Sequence, residues 1–238
     1  MAAEKVCIYH IAEIYLYEYY HQPESYEIPE EDAVAPLLAA AGEQEKKGGL
    51  PAAMQDYEKA LKWNPVSTEI YFRLIDCCYR LNNLELLHTY TLEVYPYLAT
   101  RAELAQYYRY LGYYHLEKMH PALAMALYRY STYFEPGDSA EHEIRYLEAA
   151  MEHSEPKRTP QELQNILTKA GIPVRANAVT LALLVKAGEE AEQRSDKALK
   201  DGNDDAEQNW RQQAVDCYQM VYDLTQDEEI ENRLRTLL

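Results

Sequence analysis

Apolar and small residues recur along this chain at steps of three and four, the spacing that keeps them on one face of an α-helix. Tyr71, Leu74 and Cys78 follow it. Turn chemistry marks the breaks. Gly48-Gly49 separates an expected helix over Ala35–Lys46 from one over Pro51–Trp63. Pro51 suits a first turn, where its missing N–H has no partner to lose, and Asn64-Pro65 is a stop. Asn82-Asn83 divides the next pair, whose second helix runs Leu84–Tyr95 and closes at Pro96. A third pair covers about Ala102–Gly137. Beyond it, Ser139 caps a helix to about Glu152, Ser154–Lys157 reads as a loop, and Thr159-Pro160-Gln161-Glu162 opens another helix with Thr at the cap, Pro first and Glu third. Gly171 is a left-handed stop, followed by Pro173. These two helices read as a fourth, irregular pair. Two long helices follow, about Asn177–Lys200 and Asp204–Leu224, joined by Asp201-Gly202-Asn203. Small residues at Gly188, Ala191, Ser195 and Ala198 face Ala206, Trp210 and Ala214, and Glu228–Leu238 forms a covering helix. At the other end, residues 3–21 read as a helix, with a strand over Ile14–Tyr17 as the alternative, and His21 to Asp32 reads as a linker.

The helical pairs keep a register. Tyr108, Leu111, Gly112, His115, Ala124, Tyr128 and Pro136 form one set of landmarks. Ala53, Tyr57 and Pro65 stand 71 residues before Ala124, Tyr128 and Pro136 (124 − 53, 128 − 57, 136 − 65). Ala214 and Tyr218 stand 90 residues after Ala124 and Tyr128 (214 − 124, 218 − 128). This set resembles the tetratricopeptide pattern W-x2-L-G-x2-Y, A-x3-F, P, with His115 in the slot usually held by Tyr. Two periods of 34 residues fall about three short of the observed offset, so the middle repeat carries extra residues. The resemblance covers about residues 34–138 well and 177–226 loosely. It implies an all-α, alpha-alpha superhelix, a TPR-like solenoid of about five helix pairs with an extended C-terminal helical hairpin. The expected organisation is an N-terminal helix and linker over 1–33, three repeats over 34–138, and an irregular pair, long hairpin and capping helix over 139–238.

Composition narrows the function. Of 238 residues, 47% are hydrophobic, ample for a core. A formal net charge of −17 argues against nucleic acid or an anionic membrane, because phosphate neutralisation needs clustered Lys and Arg. The same acidity suits a basic partner, or solubility alone. Cys7, Cys77, Cys78 and Cys217 show no C-x-x-C spacing, and neighbours such as Cys77 and Cys78 rarely bridge, so buried free thiols are expected. Met1–Lys5 has one basic residue ahead of a Tyr-rich, Glu-interrupted run, unlike a signal peptide, and no apolar stretch is long enough to span a bilayer. A cytoplasmic location is expected.

No nucleophile motif, glycine-rich phosphate loop or zinc spacing is present, so the expectation is a non-enzyme without cofactor or metal. His115 is expected as a hydrogen-bonded core or rim side chain, and Glu141-His142-Glu143 lacks a second ligand at helical spacing. Gly171-Ile172-Pro173 between helices only faintly resembles a helix-turn-helix, and its acidic setting and Pro speak against one. Tyrosine is the compositional anomaly, 23 Tyr against 2 Phe. Tyr fills Phe slots and places its hydroxyl at the surface, which accounts for Tyr57, Tyr128 and Tyr218; further Tyr suits a binding face. In the tetratricopeptide family the first helices of the repeats line a groove that holds a partner's peptide. Carried over by position, repeat one offers Ala35, Leu38, Gly42, Glu45 and Lys46. Repeat two offers Glu69, Phe72, Asp76, Tyr79 and Arg80, and repeat three Gln106, Arg109, Tyr113, Leu116 and Glu117. Phe72, Asp76, Tyr79, Arg80, Arg109 and Tyr113 are the candidate peptide-binding residues. Arg80 and Arg109 would focus a partner carboxylate, unless Asp76 and Glu117 neutralise them. The clamp that some members use for chaperone tails is missing: Leu38 and Gly42 fill its Lys and Asn slots, and Gln106 and Tyr110 its basic ones. The expected partner is another protein or peptide. The alternative is a self-assembling or regulatory subunit, possible homo-oligomer included, acting through the Tyr-rich N-terminal segment or the long hairpin.

Overall fold

The structure, a computed structural model, describes residues 3–150 and 158–238. The chain opens in a short extended segment. β1 (Glu4–Lys5) pairs in parallel with β2 (Tyr26–Glu27), and the Cys7 N–H donates to the Trp63 carbonyl at 2.8 Å. Helix α1 (Ile11–His21) therefore begins eight residues later than the sequence suggested, and the expected linker holds β2. His10 sets the start: its Nδ1 accepts the Ala12 N–H, and the Glu13 carboxylate accepts the Tyr9 N–H. Helix, not strand, is the outcome for Ile14–Tyr17.

Three hairpins follow: α2 (Val34–Lys46) with α3 (Leu50–Trp63), α4 (Thr68–Arg80) with α5 (Leu84–Val94), and α6 (Arg101–Glu117) with α7 (Pro121–Phe134). α3 packs on α4 and α5 on α6, so the hairpins stack. The expected end of α5 is instead a short 3-10 helix, Tyr95–Tyr97, because Pro96 removes a helical donor. α8 (Asp138–Ala150) and α9 (Pro160–Lys169) both pack on α7 rather than mainly on each other. The expected cap Ser139 lies inside α8; Glu152 and the Ser154–Lys157 loop fall outside the described residues. Thr159 and Glu162 form a capping box at α9, and Gly171 takes φ +74° after it.

The last hairpin, α10 (Ala178–Lys200) with α11 (Asp204–Thr225), repeats the others in detail. In all four, one residue with positive φ stands two positions before the second helix: Gly48, Asn82, Met119 and Gly202. Gly112 lies against the Tyr128 ring and Gly188 against the Tyr218 ring, so close that a Cβ would sit 3.0 Å and 2.7 Å from ring carbons. The difference is length. α6 continues 5 residues past Gly112 and α10 12 past Gly188 (117 − 112, 200 − 188). α7 begins 3 residues before Ala124 and α11 10 before Ala214 (124 − 121, 214 − 204). Each arm thus gains seven residues, about two turns and roughly 10 Å, which preserves the packing face.

This hairpin folds back on the N-terminus. α10 packs on α1, where Ile11 and Ala12 share a buried cluster with Leu184, Ala187 and Tyr218. The Tyr20 hydroxyl bonds to the Thr180 hydroxyl, which donates to the Pro96 carbonyl. α12 (Glu228–Leu237) covers α11 through Ile230 and Leu234. Tyrosine hydroxyls pin the connection before α10: Tyr108, Tyr130 and Tyr95 donate to the carbonyls of Pro173, Val174 and Arg175. Apart from the β1–β2 pair, the regular structure of the described residues is helical, an all-α stack of hairpins.

Candidate functional site

The first helices of the hairpins, α2, α4 and α6, share a face with two hollows. One, of ≈ 300 Å³, lies between α2 and α4 and is lined by Leu38, Gly42, Glu45, Lys46, Tyr57, Glu69 and Arg73. The other, of ≈ 290 Å³, lies between α4 and α6 and is closed by α7 and α8. Asp76 and Tyr79 come from α4, Gln106, Arg109, Tyr110 and Tyr113 from α6, Tyr128 from α7 and Glu143 from α8. Residues three and four apart on one helix reach the same hollow, as the 3.6-residue period requires.

Four of the six candidate residues meet there: Asp76, Tyr79, Arg109 and Tyr113. Tyr79 is 42% exposed, and its ring meets the Tyr113 ring edge-on at 4.6 Å. The Tyr113 hydroxyl donates to the Asn82 side chain at 3.2 Å. Phe72 and Arg80 do not line this hollow. Phe72 is partly buried on the core, its ring stacked with that of Tyr110 at 6.4 Å.

Both arginines are engaged within the chain, Arg80 by the expected Asp76 but more closely by Glu45, and Arg109 by Glu135 in place of Glu117. Arg80 donates to Glu45 at 2.6 Å and more loosely to Asp76 at 3.4 Å. Arg109 reaches past Glu117 to the end of α7, where it donates to the Glu135 carboxylate at 3.1 Å and the Glu135 carbonyl at 2.8 Å. The terminal nitrogens of Arg109 are thus engaged and Glu135 offsets its charge, while its buried Nε has no partner among the described residues. The Glu45 carboxyl is held below its ordinary range by hydrogen bonds from Tyr57 and Arg80, against the opposing effect of its burial.

Tyr110, Tyr128 and Glu143 line the hollow without belonging to the six candidate positions. Tyr128 stood as a gap-filling landmark beside Tyr57 and Tyr218. The Tyr57 hydroxyl donates to Glu45 at 2.5 Å, and Arg233 donates to the Tyr218 hydroxyl at 3.0 Å. The Tyr128 residue is only 3% exposed, yet its hydroxyl makes no hydrogen bond among the described residues. It faces the hollow. Burial first, and then the Glu143 carboxylate, push its pKa well above the ordinary tyrosine value. Burial and Asp76 do the same to Tyr110. The helical offset from Tyr128 to Glu143 carries no signal, because α8 belongs to no regular repeat. His115 is not hydrogen-bonded through its buried Nδ1; its ring stands between Tyr114 and His120, and burial, with His120 and His88, lowers its pKa.

All four thiols are buried and unbridged. Among the described residues no cluster of three or more His, Cys, Asp or Glu is arranged to hold a metal ion, and no helix is long and apolar enough to cross a membrane.

No family model and no curated protein matches the chain. Among solved structures it is similar to a thermophilic TPR protein of Thermus thermophilus, with 13% identity, a TM-score of 0.41, and coverage of 86% of this chain and 98% of that one.

Proposed function

We propose that this chain is a non-catalytic, protein- or peptide-binding module of the tetratricopeptide type, and that its binding groove is the face shared by α2, α4 and α6. The observation that carries this reading is the pair of hollows on that face, one of which gathers an exposed aromatic, Tyr79, with polar groups from four helices. Rigid helices hold those groups, so a bound segment meets a prearranged surface. The Tyr-rich N-terminal segment is largely engaged inside the molecule, which weakens the assembly alternative. Tyr15 donates to Glu190, Tyr20 bonds to Thr180, Tyr26 donates to Glu18, and Tyr17 is fully buried.

Photo-crosslinking tests the reading. A benzophenone amino acid at position 79 should capture peptides from a random eleven-residue library. The same probe at position 199, at the tip of the long hairpin and 62% exposed as Leu199, should capture few. Capture from position 199 alone would favour the hairpin as the contact surface and remove the groove reading.

A further inference from the structure

We propose that the hollow between α4 and α6 is a subsite for a basic side chain, lysine or arginine, of the bound polypeptide. This rests on the groove reading above and specifies what the groove selects.

Three observations point the same way. First, charge: Asp76 and Glu143 line the hollow and Glu117 acts on the hydroxyls at its rim. Glu45 and Glu135 stand behind the two arginines, so five carboxylates surround two guanidinium groups, each already bonded. Glu143 makes no hydrogen bond or ion pair among the described residues, and Asp76 shares only the longer of Arg80's two contacts. Second, the Tyr128 residue is buried at the wall of the hollow, and its hydroxyl is unpartnered among the described residues. Open to the hollow and without a partner in the described residues, that hydroxyl is free to accept from a ligand donor. Third, the walls are aromatic. Tyr79, Tyr110 and Tyr113 offer ring faces and edges to an aliphatic stem, and cations favour tyrosine faces. An ammonium group has three donors to distribute over Asp76, Glu143 and the Tyr128 hydroxyl. A carboxylate entering the same hollow would meet like charge, which reverses the preference first expected from Arg80 and Arg109.

Equilibrium binding of the full chain to acetylated, amidated eleven-residue libraries tests this. The libraries differ only at the fixed central residue: lysine, arginine, norleucine or glutamate. Norleucine keeps the stem of lysine without its charge. The lysine or arginine library should bind about tenfold more tightly than norleucine, a difference typical of a charge-assisted hydrogen bond, and glutamate should bind weakest. Asp76→Asn with Glu143→Gln should erase the preference. A control that neutralises equal charge on the exposed far hairpin and last helix, Asp205→Asn with Glu228→Gln, should keep it, which separates the subsite from general attraction to an acidic protein. Tyr128→Phe should weaken the basic libraries while leaving the melting temperature about equal, because the hydroxyl it removes bonds to nothing among the described residues; a purely structural Tyr128 would leave binding untouched. Binding of all four libraries alike, or a preference that survives Asp76→Asn with Glu143→Gln, overturns the subsite and leaves the groove standing. Binding of no library at all removes both.

Discussion

Gly188 and Gly42 both sit inside helices, yet replacing them with alanine should move stability in opposite directions. Alanine in a helix interior is favoured over glycine by about 1 kcal/mol. At Gly42 in α2 a new Cβ would meet nothing within 4 Å, so Gly42→Ala should collect that gain. At Gly188 in α10 the Cβ would stand 2.7 Å from Cε1 and 2.9 Å from Cζ of Tyr218. A ring end can often swing away, but this one is fully buried, and its hydroxyl accepts a hydrogen bond from Arg233, which pairs in turn with Glu189 and Glu192. Overpacking of this kind costs about 1–3 kcal/mol, so the net expectation for Gly188→Ala is a loss of about 1 kcal/mol after the helix gain. In a chain of this size that is a melting temperature lower by roughly 2–4 °C, against a rise of similar size for Gly42→Ala. Gly112→Ala, with contacts of 3.0–3.2 Å to Tyr128, should fall between them. Urea denaturation of the three variants, with Gly188→Ala combined with Tyr218→Leu, completes the test. The second substitution should recover at least about 0.5 kcal/mol of coupling if the ring is the obstacle. A Gly188→Ala protein as stabilised as Gly42→Ala would refute the close approach, and with it the equivalence of the long hairpin to the repeats.

Three further outcomes are expected. Arg109→Ala should cost roughly 1.5–3 kcal/mol in urea denaturation, because it strips a charged donor from the end of α7, and Arg109→Glu should cost more by setting a second carboxylate against Glu135; a stability unchanged by either would show that the contact holds nothing. His10 has its pKa lowered from 6.5 by burial, against Asp216 and Glu13, and its neutral Nδ1 caps α1. As pH falls the unfolded chain takes the proton first, so this stability is present above about 6.5 and is lost as pH drops through the lower folded value. His10→Asn keeps a cap acceptor without titrating, and its urea midpoint should fall less than the wild-type midpoint between pH of about 7.5 and 5.5; parallel curves would contradict the assignment. Burial raises the thiol pKa to about 11 at Cys77 and about 12 at Cys78 and Cys217, so a maleimide at pH of about 7.5 should modify these only after unfolding, and rapid native labelling would show the packing to be looser than drawn.

Local chemistry made most of the helices legible. Gly48, Asn82 and Gly202 stand where a turn needs positive φ, and Thr159 with Glu162 forms the capping box that its spacing announces. Met119, also at positive φ, gave no such signal, since methionine is not a turn residue, and only the repeat register locates it. The N-terminus departs from its local pattern for a long-range reason. Residues 4–7 are held extended by Tyr26–Glu27 and by the end of α3, partners 22 and 56 residues away (26 − 4, 63 − 7), and no local pattern carries that information. The return of the long hairpin to α1 was equally silent, because Ile11 and Ala12 look like any apolar pair until Leu184 and Ala187 cover them.

The candidate site shows why position is easier to read than electrostatic character. The repeat pattern brought Asp76, Tyr79, Arg109 and Tyr113 together from separate turns of two helices, because position depends on periodicity alone. The sign of the site depends on what each charge is already doing, and that is set by residues outside the pattern. Arg80 answers to Glu45 from the preceding hairpin, and Arg109 to Glu135 just past the end of α7. Once those pairs are formed, the charge left facing the hollow comes from Glu143, on a helix that follows no repeat. The same holds for the three equivalent tyrosines. Tyr57 and Tyr218 find partners because Glu45 and Arg233 lie within reach, while Tyr128 has none among the described residues and so points an unsatisfied hydroxyl at the space between α4 and α6. A repeat supplies identical slots, and the departures from identity, an unmatched carboxylate and an unpaired hydroxyl, are where selectivity for a partner can reside.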